Sequence, residues 1–174
     1  MKKATIILFG DPALRERALP IKAFHRKLHD LIDTIKLTLG ETEDAAALAA
    51  SQIAVAKRIT VIDYQGEYFE MVNPEILDQS GEAEAWEGCL SFPGYSGIVK
   101  RAKTVTVKYQ DRHGKEYIIE RSGPMARCIQ HEIDHLDGVL YIDRMDEDDF
   151  VVNDEKKTKI PVKGLLKTSL RKNP

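Results

Sequence analysis

The stretch His131-Glu132-Ile133-Asp134-His135 constrains the fold more than any other part of the chain. Histidines four residues apart can act together on a helix, where positions i and i+4 share one face. On that face His131 and His135 can grip one metal ion. Glu132 stands beside them without needing to be a ligand, and it can take a proton from water. That is the arrangement of metal-assisted hydrolysis. Cys128, three residues before His131, falls on the same face and gives the site an apolar wall. His25 and His29 are also four apart, but they lack a following glutamate, lie at the edge of an apolar stripe and read as surface residues.

The rest of the chain predicts the frame around this helix. Phe24, Leu28, Leu31, Ile32, Ile35 and Leu39 keep helical spacing after Pro20, which predicts an amphipathic helix over 24–39. Residues 4–9 read as a first strand, ended by Gly10-Asp11-Pro12. Residues 59–64 are rich in β-branched side chains and read as a strand paired with 68–72, and Asn73-Pro74 breaks that pattern. Residues 104–110 and 115–120 alternate around Asp111-Arg112-His113-Gly114, the signature of a hairpin. Ser122-Gly123-Pro124 then opens the histidine helix, with Pro124 in its first turn and Gly138 as its stop. Strands before and a helix after predict an α+β fold, with mostly antiparallel sheets packed around the central helix that carries His-Glu-x-x-His.

A chain of 174 residues with net charge −2 gives no general reason to expect DNA binding, and no apolar run nears the roughly 20 residues a bilayer requires. The Met1-Lys2-Lys3 start lacks a small-residue cleavage site, so a cytoplasmic protein is expected. There the two cysteines, Cys89 and Cys128, are not expected to form a disulfide.

Catalytic metal sites commonly combine three protein ligands with one open position, so a third ligand must come from outside the helix. Cys89 is the candidate. It lies in Trp86-Glu87-Gly88-Cys89-Leu90-Ser91-Phe92-Pro93-Gly94, where glycines and a proline shape the backbone for close approach. The alternative for Cys89 is a small buried hydrophobe.

Glu87-Gly88-Cys89-Leu90-Ser91 followed by Gln130-His131-Glu132-Ile133-Asp134-His135 resembles the second and third signature motifs of the peptide deformylases. Asp11-Pro12, Leu14-Arg15, Arg101, Gly123, Ala126-Arg127 and Ile142-Asp143-Arg144 extend the resemblance over residues 5–145. The resemblance implies an enzyme that removes the N-formyl group from the initiator methionine of nascent peptides and releases formate. It implies Cys89, His131 and His135 as ligands of one divalent ion, typically Fe²⁺, with Zn²⁺, Ni²⁺ or Co²⁺ able to replace it. It also implies Glu132 as general base and proton donor, and Gln52 with the backbone N–H of Leu90 as donors to the oxyanion. Cys128 would line the methionine pocket and Gly88 would lie along the substrate, while Arg101 is open between a contact with the peptide further on and a surface charge. Asp134 is open between an anchor for the helix and a structural ion-pair partner.

The first motif departs from the family. Its pattern Gly-x-Gly-hydrophobic-Ala-Ala-x-Gln meets Ala45-Ala46-Ala47-Leu48-Ala49-Ala50-Ser51-Gln52, so Ala45 and Ala47 replace two glycines on the substrate wall. Either both sites have ordinary backbone angles and tolerate a methyl group, or the groove is reshaped, with altered peptide preference or weak activity. A deformylase-like binding protein without activity and a metallopeptidase are the rival readings. The expected organisation is a catalytic domain over 1–148 and a charged extension over 149–174, in helix, strand or mobile form. Lys156, Lys157, Lys159, Lys163, Lys167, Arg171 and Lys172 make that extension basic, which suits a ribosomal RNA surface. The resemblance also implies a bacterial source, or an organellar form without its transit peptide.

Overall fold

The computed structural model describes residues 2–145, 150–153 and 156–159. Helix α1 spans Arg26–Gly40, and strands β1 and β2 span Ala47–Ala49 and Ile59–Tyr64. Strand β3 covers Glu67–Ser80, β4 Ala83–Gly88, β5 Tyr95–Arg101, β6 Thr104–Gln110 and β7 Glu116–Ser122. Helix α2 spans Gly123–Leu136, and β8 is Phe150–Val152. The strands form an antiparallel five-stranded sheet ordered β1-β2-β3-β6-β7 and a three-stranded sheet ordered β4-β5-β8.

The near-continuous apolar run of β2 reflects helices on both sides of its sheet. Side chains alternate along a strand, so Ile59 and Val61 join the cluster of Leu28, Ile32, Ile35 and Leu39 on α1. Ile62 joins Met125, Ala126, Ile129 and Ile133 on α2. Burying each such aliphatic side chain is worth about 1.5–3 kcal/mol, which holds α2 against the sheet and leaves its other face for β4 and β5. The fold is therefore α+β, with sheets around the histidine-bearing helix.

Pro124 stands in the first turn of α2, where its missing N–H costs nothing. At the other end Gly138 has φ 73°, and a Cβ there would collide with the carbonyl oxygen of Arg15. Glycine is required for both reasons.

Two expectations fail. Residues 4–9 form no strand; Ile7 N donates to Gln52 O and Phe9 N to Ser91 O, each at 2.8 Å. The segment threads between two different neighbours, so no continuous ladder forms. Asn73-Pro74 does not end β3, which runs through it as a bulge between Val72 and Glu75. Asn73 takes φ 51°, which asparagine tolerates, and its side chain binds Ile21 N at 2.7 Å and Ile21 O at 2.9 Å. A bulge also accommodates the missing N–H of Pro74. Of the extension, residues 150–152 pair with β5, and Phe150 is buried with Phe92, Tyr141 and Val99. Lys163, Lys167, Arg171 and Lys172 lie outside the described residues.

Candidate metal centre and substrate groove

Three potential ligand atoms converge where β4 meets α2. Cys89 is the first residue past β4, while His131 and His135 stand one helical turn apart on α2. Their ligand atoms all lie within 4.8 Å of one another, and Cys89 Sγ is 3.2 Å from His135 Nε2. Nδ1 of His131 is tied to Glu87 Oε2 at 2.9 Å, which leaves Nε2 as the nitrogen for an ion. One thiolate and two imidazoles suit zinc or a divalent transition metal with one position open to water or substrate. These residues could therefore hold such an ion.

Glu132 is buried beside this trio. Burial pushes its carboxyl up to about 7, against the pull of His131 and a 3.1 Å hydrogen bond from Thr60 Oγ1. A carboxyl poised near neutrality both accepts and returns a proton readily. Burial disfavours protonation of His131, but the contacts with Cys89 and Glu87 outweigh it and raise it to about 10. Burial, then the charge of His131, holds His135 well below the usual range.

Gln52 sits in the 3-10 turn Ala50–Ile53. Its Oε1 accepts from Ala49 N at 2.9 Å, which aims Nε2 at Ser91 Oγ (3.3 Å) and Cys89 Sγ (3.5 Å). An open groove leads away from these groups, and Ala45, Ala47, Gly88, Leu90 and Cys128 line it. Its walls are the outer strands of the two sheets, β1 on one side and β4 on the other. Such strands offer unpaired backbone groups to an extended peptide.

The sequence from residue 3 to 150 matches the family model described as polypeptide deformylase. A peptide deformylase of Heliobacterium modesticaldum is 46% identical over 143 residues, covering 82% of this chain and 94% of that relative. The peptide deformylase of Thermotoga maritima superposes with a TM-score of 0.81 at 39% identity, covering 84% of this chain and 99% of that one. The Legionella pneumophila enzyme gives 0.81 at 36% identity, covering 98% and 95%.

The chain belongs to the peptide deformylase family. Membership makes it an enzyme of protein biosynthesis, from a family that uses a single metal ion and acts on formylated nascent peptides.

Ala45 and Ala47 have a plain backbone conformation. Neither Ala45 nor Ala47 has a positive φ, so the methyl groups impose no backbone strain. Arg101 is neither a peptide contact nor a surface charge. Its side chain is 2% exposed, giving Nε and Nη2 to Glu87 at 2.5 and 2.9 Å and Nη1 to Asp134 at 2.7 Å. The alternation of β5 turns it into the protein, where two carboxylates await it. Asp134 is thus an ion-pair partner, shared with Arg144 at 2.5 and 2.6 Å. His29 is half-buried, with Nε2 2.9 Å from the carbonyl of Arg112.

Glu87 is the site residue that pattern reading missed. Burial works to raise its carboxyl, but His131 and Arg101 hold it well below the usual carboxylate range, and Arg127 Nη1 also donates to Glu87 Oε1 at 2.8 Å. The signal was present: a ligating histidine commonly gives its second nitrogen to a carboxylate, and Glu87 stands two residues before Cys89.

Proposed function

We propose that this chain is an active deformylase that hydrolyses the N-formyl group of N-formylmethionyl nascent peptides to formate, with Cys89, His131 and His135 holding one divalent ion. Fe²⁺ is the proposed native metal, with Zn²⁺, Ni²⁺ and Co²⁺ as substitutes on the same donor set. The observation that carries the reading is the meeting of these donors with buried Glu132 at the end of a groove walled by two sheet edges.

The ion supplies a Lewis acid that makes water nucleophilic near neutral pH. Glu132 accepts the proton of the attacking water and passes it to the departing amine. The Gln52 amide and the Leu90 N–H face the oxygen that gains charge at the formyl carbon. Glu87 fixes the ring of His131 through Nδ1. Ala45, Ala47 and Gly88 border the extended peptide, and Cys128 helps form the methionine pocket.

The test is anaerobic protein loaded separately with each of the four metals and supplied with formyl-Met-Ala-Ser. Formate release with every peptide bond intact is the expected result. Cleaved peptide bonds point to a metallopeptidase, and no reaction with any metal points to a binding relative. The ordinary backbone at Ala45 and Ala47 supports activity.

Residues 1–148 are the proposed catalytic domain, acting in the bacterial cytoplasm. The extension over 149–174 is the proposed ribosome contact through its basic residues. Replacing Lys163, Lys167, Arg171 and Lys172 together by alanine is expected to abolish co-sedimentation with ribosomes at low salt. Undiminished co-sedimentation overturns the contact.

A further inference from the structure

Beyond the metal centre, the groove has a distal lip with no role in the chemistry above. Trp86 lies three residues before Cys89 on β4, about 10 Å back at the usual strand rise. A peptide extended along β4 with its formyl group at Cys89 brings its third residue level with Trp86 by the same rise. Trp86 is the chain's single tryptophan, it lines the groove, and it is 48% exposed. The Lys157 ammonium stands over its ring, 5.0 Å from the centroid.

Residues of the extension on either side of Lys157 are tied to β5 and β8. Phe150–Val152 pair with β5, and Asn153 N donates to Gly94 O at 2.8 Å. Ser96 Oγ donates to Asn153 Oδ1 at 2.5 Å, and Val152 N to Thr158 O at 2.9 Å, so Thr158, next to Lys157, lies beside β8. Asn153 itself lines the groove. Among the described residues Lys157 enters no ion pair. Of the other cations on this side, Arg127 is engaged with Glu87, and Lys103 lines the groove without an ion pair among the described residues. The acidic Glu43 and Asp44 stand on the opposite lip, before β1.

We infer that Trp86 and Lys157 form a subsite for the third residue of the peptide, selecting an acidic side chain over a basic one. The inference rests on the deformylase reading for the direction in which the peptide lies. A carboxylate meets an ammonium that already stands over the indole at the groove. A lysine or arginine at that position meets like charge and must displace Lys157 from the indole face.

The test compares formyl-Met-Ala-Asp-amide with formyl-Met-Ala-Lys-amide on the metal-loaded enzyme. The expected ratio of kcat/KM favours the aspartyl peptide by about fivefold at low salt. It falls to near unity in Lys157→Ala, inverts in Lys157→Glu, and collapses at about 1 M salt, where screening acts within about 3 Å. The difference lies in KM and not in kcat. A ratio taken on one preparation is independent of its active fraction. Equal values in the parent, or a ratio unmoved in Lys157→Glu, overturns the subsite. Titrating Trp86 fluorescence with the same two peptides reads binding without turnover. If neither peptide releases formate, the deformylase reading fails, and the fluorescence affinities alone decide: preference for the aspartyl peptide upholds the subsite, and equal affinity overturns it.

Discussion

Replacing Glu132 by glutamine lowers kcat for formate release by about 10²–10⁴-fold, the usual contribution of a positioned general base. Glutamine keeps the shape of the side chain and a carbonyl oxygen for the Thr60 hydroxyl, which lies 3.1 Å from Glu132 Oε2. It cannot accept a proton. Because the interaction lost is one made in the transition state, the fall appears in kcat with KM little changed. Stability separates this loss from misfolding. Glu132 is 4% exposed, and exchanging a buried carboxylate for a neutral amide relieves a desolvation cost, so the variant is expected to melt no earlier than the parent. Formate release within tenfold of the parent would remove Glu132 from the proton path.

Arg101→Met costs about 3 kcal/mol of folding stability, the lower end for breaking a buried charge pair. The guanidinium bridges Glu87 and Asp134 where all three side chains are at most 10% exposed. Removing it leaves two buried carboxylates short of one cation. Arg127 still faces Glu87 and Arg144 still faces Asp134, which keeps the loss from being larger. In thermal unfolding the shift is a fall of about 6–12 °C for a chain of this size. Metal affinity falls with it by about tenfold, because Glu87 orients the ring of His131. An unchanged melting temperature would refute the bridging role. The solvent-exposed pair Lys3–Glu41 offers the contrast, since its removal is expected to leave the melting point unmoved.

Elements with a strong internal period were legible in the chain. The α1 stripe appears as Leu28, Ile32, Ile35 and Leu39 in one buried cluster, and β2 spans the expected Ile59–Tyr64. The hairpin of β6 and β7 closes around the expected turn. The strand reading of residues 4–9 failed because composition alone cannot distinguish a ladder from a thread between two unrelated carbonyls. Asn73-Pro74 looked like a stop because both residues interrupt a regular strand. Its bulge is held by Ile21, 52 residues away, which no local pattern contains.

The site divides in the same way. By itself the sequence determined that His131, Glu132 and His135 share one helical turn, because the pitch of an α-helix is a property of the backbone. Its motifs also singled out Cys89, Gln52 and the two alanines of the first motif. Only the tertiary structure decided that Cys89 comes within 3.2 Å of His135 across 46 residues of chain. It turned Arg101 inward to Glu87 and Asp134, made Glu87 the anchor of His131, and brought Lys157 over Trp86. Local geometry fixes neighbours along a helix or strand. Contacts between distant segments are set by how the helices and sheets pack together, a sum over many small packing terms that no short stretch of sequence carries.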